Sequence, residues 1–319
     1  MPSENKTSIE VIIMTGATGV GKSSLLYSLK DDLPIEIICA DSRQIYQDMM
    51  IGAASPTAYE KNIFPHHFFN FLSPAKKYSA GEFASNVKKV VPEIKDRNNI
   101  PIIIGGTFFY IKSLLDGLAP EVPISEEVDS FVDHLALDVV YTKLFELDKK
   151  AALALDRQNS HRVRRALKYC LASGSSFSDA LRTGGLWNIW DFHFYWIDME
   201  RKDLYEKINN RVKKMFRDGF IAEIQNLLKK GFSMKDPGFN TIGYKETLLH
   251  AEKKKIDLVY FSGEKLPEQA DLEDEIARKT RHFAKRQLTW FRNERRLKKI
   301  DYFHSLSQIS DKIKKIAAR

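Results

Sequence analysis

Four short runs rich in β-branched and aromatic residues mark the chain: IEVIIM from residue 9, IEIICA from 35, IPIII from 100 and FHFYWI from 192. Apolar side chains fall on both alternating sets within each run, as suits strands covered on both faces. Between them lie longer stretches with apolar residues at helical spacing. This alternation predicts an α/β fold, a doubly wound parallel sheet with helices packed on its two sides. Ligands of such sheets collect beyond the carboxyl ends of the strands. Residues 16–23, 41–46 and 105–110 therefore arrive at one common edge.

The pattern changes after about residue 117. Strand-like runs disappear until residue 191, and charge-rich helical stretches such as SHRVRRALKYCLASG take their place. The expected organisation is a first core part over 1–116, a helical insertion domain over 117–190, and a second core part over 191–319. That last part ends in a basic helix, DEIARKTRHFAKRQLTWFRNERR. No internal repeat points to a solenoid or array.

Composition narrows the class. With 43% hydrophobic and 29% charged residues over 319 positions, the chain is that of a soluble globular protein. The polar start MPSENKTSIE lacks the apolar core of a secretory signal, and no run approaches membrane-spanning length, so a cytoplasmic location without membrane attachment is expected. Cys39 and Cys170 stand alone, which excludes a disulfide framework or a cysteine zinc site and leaves both as buried apolar residues. A net charge of +8 suits a polyanionic partner.

The chemistry begins at Gly16, Ala17, Thr18, Gly19, Val20, Gly21, Lys22 and Ser23. The spacing Gly-x-x-x-x-Gly-Lys-Ser after a strand and before a helix is the phosphate-cradling loop. Its glycines let successive N–H groups face an anion, its lysine reaches the outer phosphate, and its serine hydroxyl is placed for Mg2+. A phosphate-loop ATPase also places an acidic residue at the end of a second strand, yet IPIIIGGT ends in Gly-Gly-Thr. Asp198 is the substitute, or an ordinary strand-end aspartate. Asp41, just past the second strand, reads equally as a turn-forming aspartate and as a general base at the edge where a second substrate meets the phosphate.

The blocks GATGVGKSSL, ADSRQIYQDMMIGAASPT, PHHFFNFLSP, YSAGEF, PIIIGGTFFYIKSLLDGLAP, HRVRRALKY, IGYKE and TRHFAKRQLTWFR follow one another in this order. Together they resemble the tRNA dimethylallyltransferases in their bacterial form, which lacks a cysteine-histidine zinc module after the last helix. The resemblance implies a phosphate-loop NTPase-like core whose loop holds dimethylallyl diphosphate. The dimethylallyl group would move to the exocyclic amine of the adenosine 3′ of the anticodon, position 37, releasing diphosphate with Mg2+ at Ser23. It further implies that Asp41 contacts the amine and acts as base, and that Thr18, Thr107 and Arg211 flank the diphosphate. tRNA would meet Asp41, Ser42, Arg43 and Gln44, then His161, Arg162, Val163, Arg164 and Arg165, then Arg281, Lys285, Arg286 and Gln287. No protein partner is implied, and a monomer is expected.

Helical spacing independently sets His161, Arg164, Arg165 and Lys168 on a face opposite Val163, Leu167 and Cys170. It sets Arg278, Arg281, Lys285 and Arg292 together on the last helix, away from Ile276, Thr280, Phe283 and Gln287. Two cationic faces favour a nucleic-acid backbone. Adjacent His66 and His67 point in different directions on either element type and are read as architecture rather than metal ligands. Alternatives are an adenylate isopentenyltransferase, which needs neither cationic helix, and a phosphate-loop nucleoside or nucleotide kinase, which would transfer phosphate from ATP. A basic RNA-binding module without activity leaves the phosphate loop unexplained.

Overall fold

In a computed structural model, residues 9–29, 33–180 and 185–318 are described. The strands are β1 (Glu10–Gly16), β2 (Ile35–Cys39), β3 (His66–His67), β4 (Ile100–Gly105), β5 (Asp191–Asp198) and β6 (Lys298–Asp301). They form one sheet in the order β3-β2-β4-β1-β5-β6, every pair parallel. Val11, Ile12, Ile13 and Met14 of β1 are completely buried, because β1 is central and covered on both faces. The helices before the insertion are α1 (Lys22–Tyr27), α2 (Ala58–Ile63), α3 (Ala80–Asp96) and α4 (Phe108–Asp116).

The chain forms two compact units, one taking the chain up to Ile111 and from Ile189 onward, the other Lys112–Asn188. The second unit thus spans 112–188, against the 117–190 expected. It holds α5 (Glu126–His134), α6 (Leu137–Leu147), α7 (Lys149–Ala154), α8 (Ser160–Ser173) and α9 (Phe177–Ala180). Its own core gathers Val132, Val140, Leu144, Val163, Leu167 and Cys170. The first unit is completed by α10 (Arg201–Arg217), α11 (Phe220–Lys229), α12 (Tyr244–Lys253), α13 (Gln269–Asn293) and α14 (Tyr302–Ala317), so the basic helix α13 is followed by β6 and α14 rather than ending the core as expected. Both cysteines are buried, as expected.

Two strands escape the hydrophobic pattern. β3 is two residues long, and β6 lies in a charged segment whose single buried position is Ile300. Edge strands covered on one side need no continuous apolar run. Several blocks of the family pattern are local architecture. In YSAGEF, Ser79 Oγ accepts from Glu82 N at 3.1 Å while the Glu82 carboxylate accepts from Ser79 N at 2.7 Å, a reciprocal cap that starts α3. In PHHFFNF, His67 Nε2 meets the buried carboxylate of Glu36 at 2.7 Å, which also receives Arg97 and Asn99. Those hydrogen bonds, Arg97 first, hold the Glu36 carboxyl down at about 2. His66 lies between Tyr27 Oη at 2.9 Å and Phe64 O at 2.6 Å. Each imidazole thus has a protein partner, in keeping with a structural role.

Candidate active site

The phosphate loop leaves β1 at Gly16, and α1 begins at Lys22. Gly19 and Gly21 adopt φ of +84° and +99°, which a side chain would strain. A Cβ on Gly19 would also lie 2.7 Å from Ile208 Cγ1. The Lys22 ammonium folds back over the loop, donating to the carbonyls of Gly16 at 2.9 Å and Ala17 at 3.1 Å. Desolvation pulls its pKa down to about 8, Asp41 opposing and Arg211 adding to the fall. Lys22, Asp41 and Arg211 therefore share one electrostatic neighbourhood, although they come from α1, the turn after β2, and α10.

Asp41 and Thr107 are joined by their loops. Ser42 N donates to Thr107 Oγ1 at 2.9 Å, the Thr107 hydroxyl faces Ser42 Oγ at 3.2 Å, and Thr107 N donates to Ala40 O at 3.1 Å. The approach is possible because residue 105 is glycine, whose Cβ would sit 2.1 Å from Ala40 O. Asp41 Oδ1 accepts from Arg43 N at 2.9 Å, the hydrogen bond of a turn-forming aspartate. That bond uses one carboxylate oxygen. Asp41 is half-buried, and its charge acts on both Lys22 and Arg211. The Arg211 guanidinium is likewise half-buried, its Nη2 3.4 Å from Gly52 O, and burial lowers its pKa against the pull of Asp41 and Tyr244.

Several residues expected at a nucleic-acid surface have other partners. Val163 is completely buried in the core of the helical unit. Arg164 caps the end of α5, donating to the carbonyls of Val132 and Leu135, and Lys168 is paired with Asp129 at 2.6 Å and Asp133 at 2.7 Å. Of the cationic stripe of α8 only His161 and Arg165 stay exposed, joined by Arg162 beside them. Gln44 donates to Ala54 O at 2.6 Å, securing its own loop, while Arg43 stays partly exposed. On α13, Arg281 donates to Asn209 Oδ1. Arg278 and Arg281 line a groove of about 710 Å³ with Asp271, Asp274 and Glu275, so their charge is locally balanced. Lys285 and Arg286 remain exposed.

Gln287 departs furthest from expectation. It is 5% exposed, its Oε1 accepting from Thr18 N at 2.8 Å and its Nε2 donating to Gly106 O at 2.8 Å. One carboxamide from α13 thereby fastens the phosphate loop to the Gly106–Thr107 turn. Gln287→Leu leaves both backbone groups without this partner in a buried place, and the expected cost is about 2–4 kcal/mol. Urea unfolding of parent and variant measures it as a lowered midpoint at unchanged slope.

Glu223 escapes sequence reading altogether. From α11 its carboxylate accepts from the N–H groups of Met50, Ile51 and Gly52, at 2.7, 2.7 and 3.1 Å, and from Tyr244 Oη at 2.6 Å. It fixes the segment whose carbonyl faces Arg211. In IGYKE, Tyr244 supplies that hydroxyl. Glu246 accepts from Gly243 N at 2.7 Å and from Lys279 at 3.1 Å. The apolar company of Glu223 in AEIQNLL is the one local sign of a buried carboxylate.

Asp198, considered above for Mg2+, ends β5 in an ion pair with Lys299 at 2.6 Å. Ser23 stands partly exposed in the first turn of α1. A serine hydroxyl beside phosphate oxygens is a hard, all-oxygen set of the kind Mg2+ takes.

A glycine loop on the central strand, a half-buried lysine and arginine, and an aspartate one loop away define a phosphate-loop α/β enzyme. Its profile is specific: residues 44–294 match the IPP transferase family, and the chain belongs to that family. The tRNA dimethylallyltransferase of Geobacter sulfurreducens is 32% identical over 323 residues, covering 98% of this chain and 99% of that one. The enzyme of that name from Bacillus subtilis is 34% identical over 296 residues, 91% of this chain and 90% of the relative. Among solved structures, the tRNA isopentenylpyrophosphate transferase of Bacillus halodurans superposes with a TM-score of 0.69, 28% identity and 97% coverage of both chains. A eukaryotic dimethylallyltransferase acting on tRNA gives a TM-score of 0.78 at 25% identity, covering 97% of this chain and 78% of that one.

Proposed function

We propose that this chain transfers the dimethylallyl group of dimethylallyl diphosphate to the exocyclic amine of the adenosine 3′ of the anticodon, position 37, in tRNA. The observation that carries the reading is the meeting of Asp41, Lys22 and Arg211 at one edge of the sheet. In the reaction the allylic C–O bond breaks and its electron pair leaves on diphosphate. The amine nitrogen forms the new bond to carbon and loses a proton, which Asp41 accepts. N–H groups of the Gly16–Ser23 loop other than those of Thr18 and Val20, together with Lys22, Arg211 and the hydroxyls of Thr18 and Thr107, stabilise the charge growing on the leaving group. Ser23 would hold Mg2+, which would supply further neutralisation of the charge on the leaving group. Asp41 also orients the weakly basic amine, which must approach along the C–O axis.

tRNA docking is assigned to Ser42 and Arg43 beside Asp41, to His161, Arg162 and Arg165 of the helical unit, and to Lys285 and Arg286 of α13. These exposed cations favour tRNA over the free nucleotide of an adenylate isopentenyltransferase. Among the described residues no helix is long and apolar enough to cross a membrane. The enzyme is read as a cytoplasmic monomer that needs no protein partner. Mass spectrometry of nucleosides from unmodified tRNA, incubated with the protein, Mg2+ and dimethylallyl diphosphate, tests the assignment. An adenosine gaining one dimethylallyl group supports it. Unchanged tRNA with phosphate transfer from ATP to a nucleoside returns the chain to the kinases.

Replacing Lys285 and Arg286 together by alanine is expected to raise the KM for tRNA about tenfold or more. The log–log salt dependence of tRNA binding should flatten by roughly one for each phosphate that is no longer neutralised. Filter binding across a salt series reads both effects, and an unchanged slope removes α13 from the interface.

A further inference from the structure

The inward face of α13 near its end is apolar except at one position. Ala284, Leu288 and Phe291 are buried at helical spacing, and Gln287 is buried in line with them. The Phe291 ring meets those of Phe108 and Trp196, each at 5.9 Å between centroids, so this stretch of the helix is held against α4 and β5. Packing alone asks for an apolar residue at 287. What the glutamine adds is two hydrogen bonds of 2.8 Å, one accepted from Thr18 N and one donated to Gly106 O. Because an N–H only donates and a carbonyl only accepts, both ends of the carboxamide are specified.

The two backbone groups it joins belong to the two sides of the site. Thr18 lies in the phosphate loop after β1. Gly106 precedes Thr107, whose hydroxyl accepts from Ser42 N at 2.9 Å, and Ser42 follows Asp41. The parallel register of β1 and β4 ends at Thr15 and Gly105, where Thr15 Oγ1 also donates to Gly105 O at 2.9 Å. Gln287 carries the connection past that end. The turn is fitted to the amide, since a Cβ on Gly106 would lie 2.4 Å from Gln287 Nε2 and 3.5 Å from Gly16 O.

We infer that Gln287 is a positioning residue for the transfer step: its carboxamide sets the spacing between the donor loop at Thr18 and the turn bearing Thr107, and through Ser42 the position of Asp41. This rests on the dimethylallyl-transfer reading above. The displacement needs the amine nitrogen, the carbon and the leaving oxygen on one axis, with the diphosphate held from the loop and the amine from the side of Asp41. A misplacement of about 1 Å between the two can cost about a hundredfold in rate. Gln287 touches neither reactant in this account. It acts through the two segments it joins.

Single-turnover transfer to tRNA by the full chain, followed across a pH series with circular dichroism at each pH, provides the test with two variants. Gln287→Met keeps the length of the side chain and loses both hydrogen bonds. Its rate at saturating donor should fall about ten- to a hundredfold, while the donor KM changes less than about threefold because Lys22 and Arg211 stay in place. Gln287→Glu is a conditional version of the parent. As a neutral acid its carbonyl accepts from Thr18 N and its hydroxyl donates to Gly106 O, whereas the carboxylate can only accept and is repelled by Gly106 O. Burial and that carbonyl favour the acid, Asp41 acts with them, and Lys22, lying over the same loop, acts against them. The rate relative to the parent should therefore recover about tenfold between about pH 8 and about pH 5.5. An amide with a purely structural role would move the unfolding midpoint and leave this ratio unchanged in the folded protein. A folded Gln287→Met protein at the parent rate, a loss confined to the donor KM, or a Gln287→Glu ratio independent of pH overturns the inference. The glutamate variant decides where the methionine variant does not fold. A parent that transfers no dimethylallyl group overturns the reading of the reaction, and this inference with it.

Discussion

Asp41→Asn should lower single-turnover transfer of the dimethylallyl group by roughly a hundred- to ten-thousand-fold, the range expected when a general base is neutralised. The asparagine oxygen can still accept from Arg43 N, so the turn that positions residue 41 survives. What disappears is the charge that accepts the amine proton. Donor binding should persist, because the loop and Lys22 are untouched. Circular dichroism of the variant checks the fold, and quenched-flow transfer to tRNA measures the effect. A folded Asp41→Asn protein working at the parent rate would leave Asp41 as a turn residue and nothing more.

The second large effect belongs to Lys22. Its pKa, brought down to about 8 by desolvation, places its titration within the accessible pH range. Below that value the ammonium is charged and clamps the leaving group, and above it the free enzyme loses that cation. The donor kcat/KM, which reports groups of the free enzyme, should therefore fall as pH rises through about 8. Lys22→Ala should cost about a hundred- to a thousandfold in kcat/KM, as for removal of one strong stabiliser of a developing anion. The variant should also lose this alkaline limb. An alanine variant with the parent's pH profile would separate the limb from Lys22.

Much of this site is legible because its determinants are local. The glycine loop, the strand before it and the helix after it form one continuous signature, and β-branched runs announce β1, β2, β4 and β5. Asp41 and Thr107 are placed by following strand ends to the sheet edge. The pairwise contacts between distant segments are not legible. Helical spacing puts Arg164 and Lys168 on a cationic face, but the carbonyls and carboxylates that engage them come from α5. Helical spacing sets Gln287 on the side of Ile276 and Phe283, but nothing local shows that its carboxamide bonds Thr18 and Gly106. Glu223 gives less warning still, since its partners are backbone N–H groups whose identity leaves no mark on the sequence. β6 escapes because an edge strand with one buried residue has no hydrophobic period to detect.

The fastening of Thr18 by Gln287 spans 269 residues, and that distance has a meaning in time as well as in space. At about 5–20 residues per second of synthesis, the loop leaves the ribosome tens of seconds before the side chain that secures it. Glu223 arrives 171 residues after Gly52, and β5, which completes one flank of β1, also follows the whole helical insertion. The nascent chain must therefore carry an unpaired, strongly apolar β1 edge through most of its own production. The insertion, with a core of its own, can collapse in the meantime, whereas the catalytic half is finished only when α13 emerges.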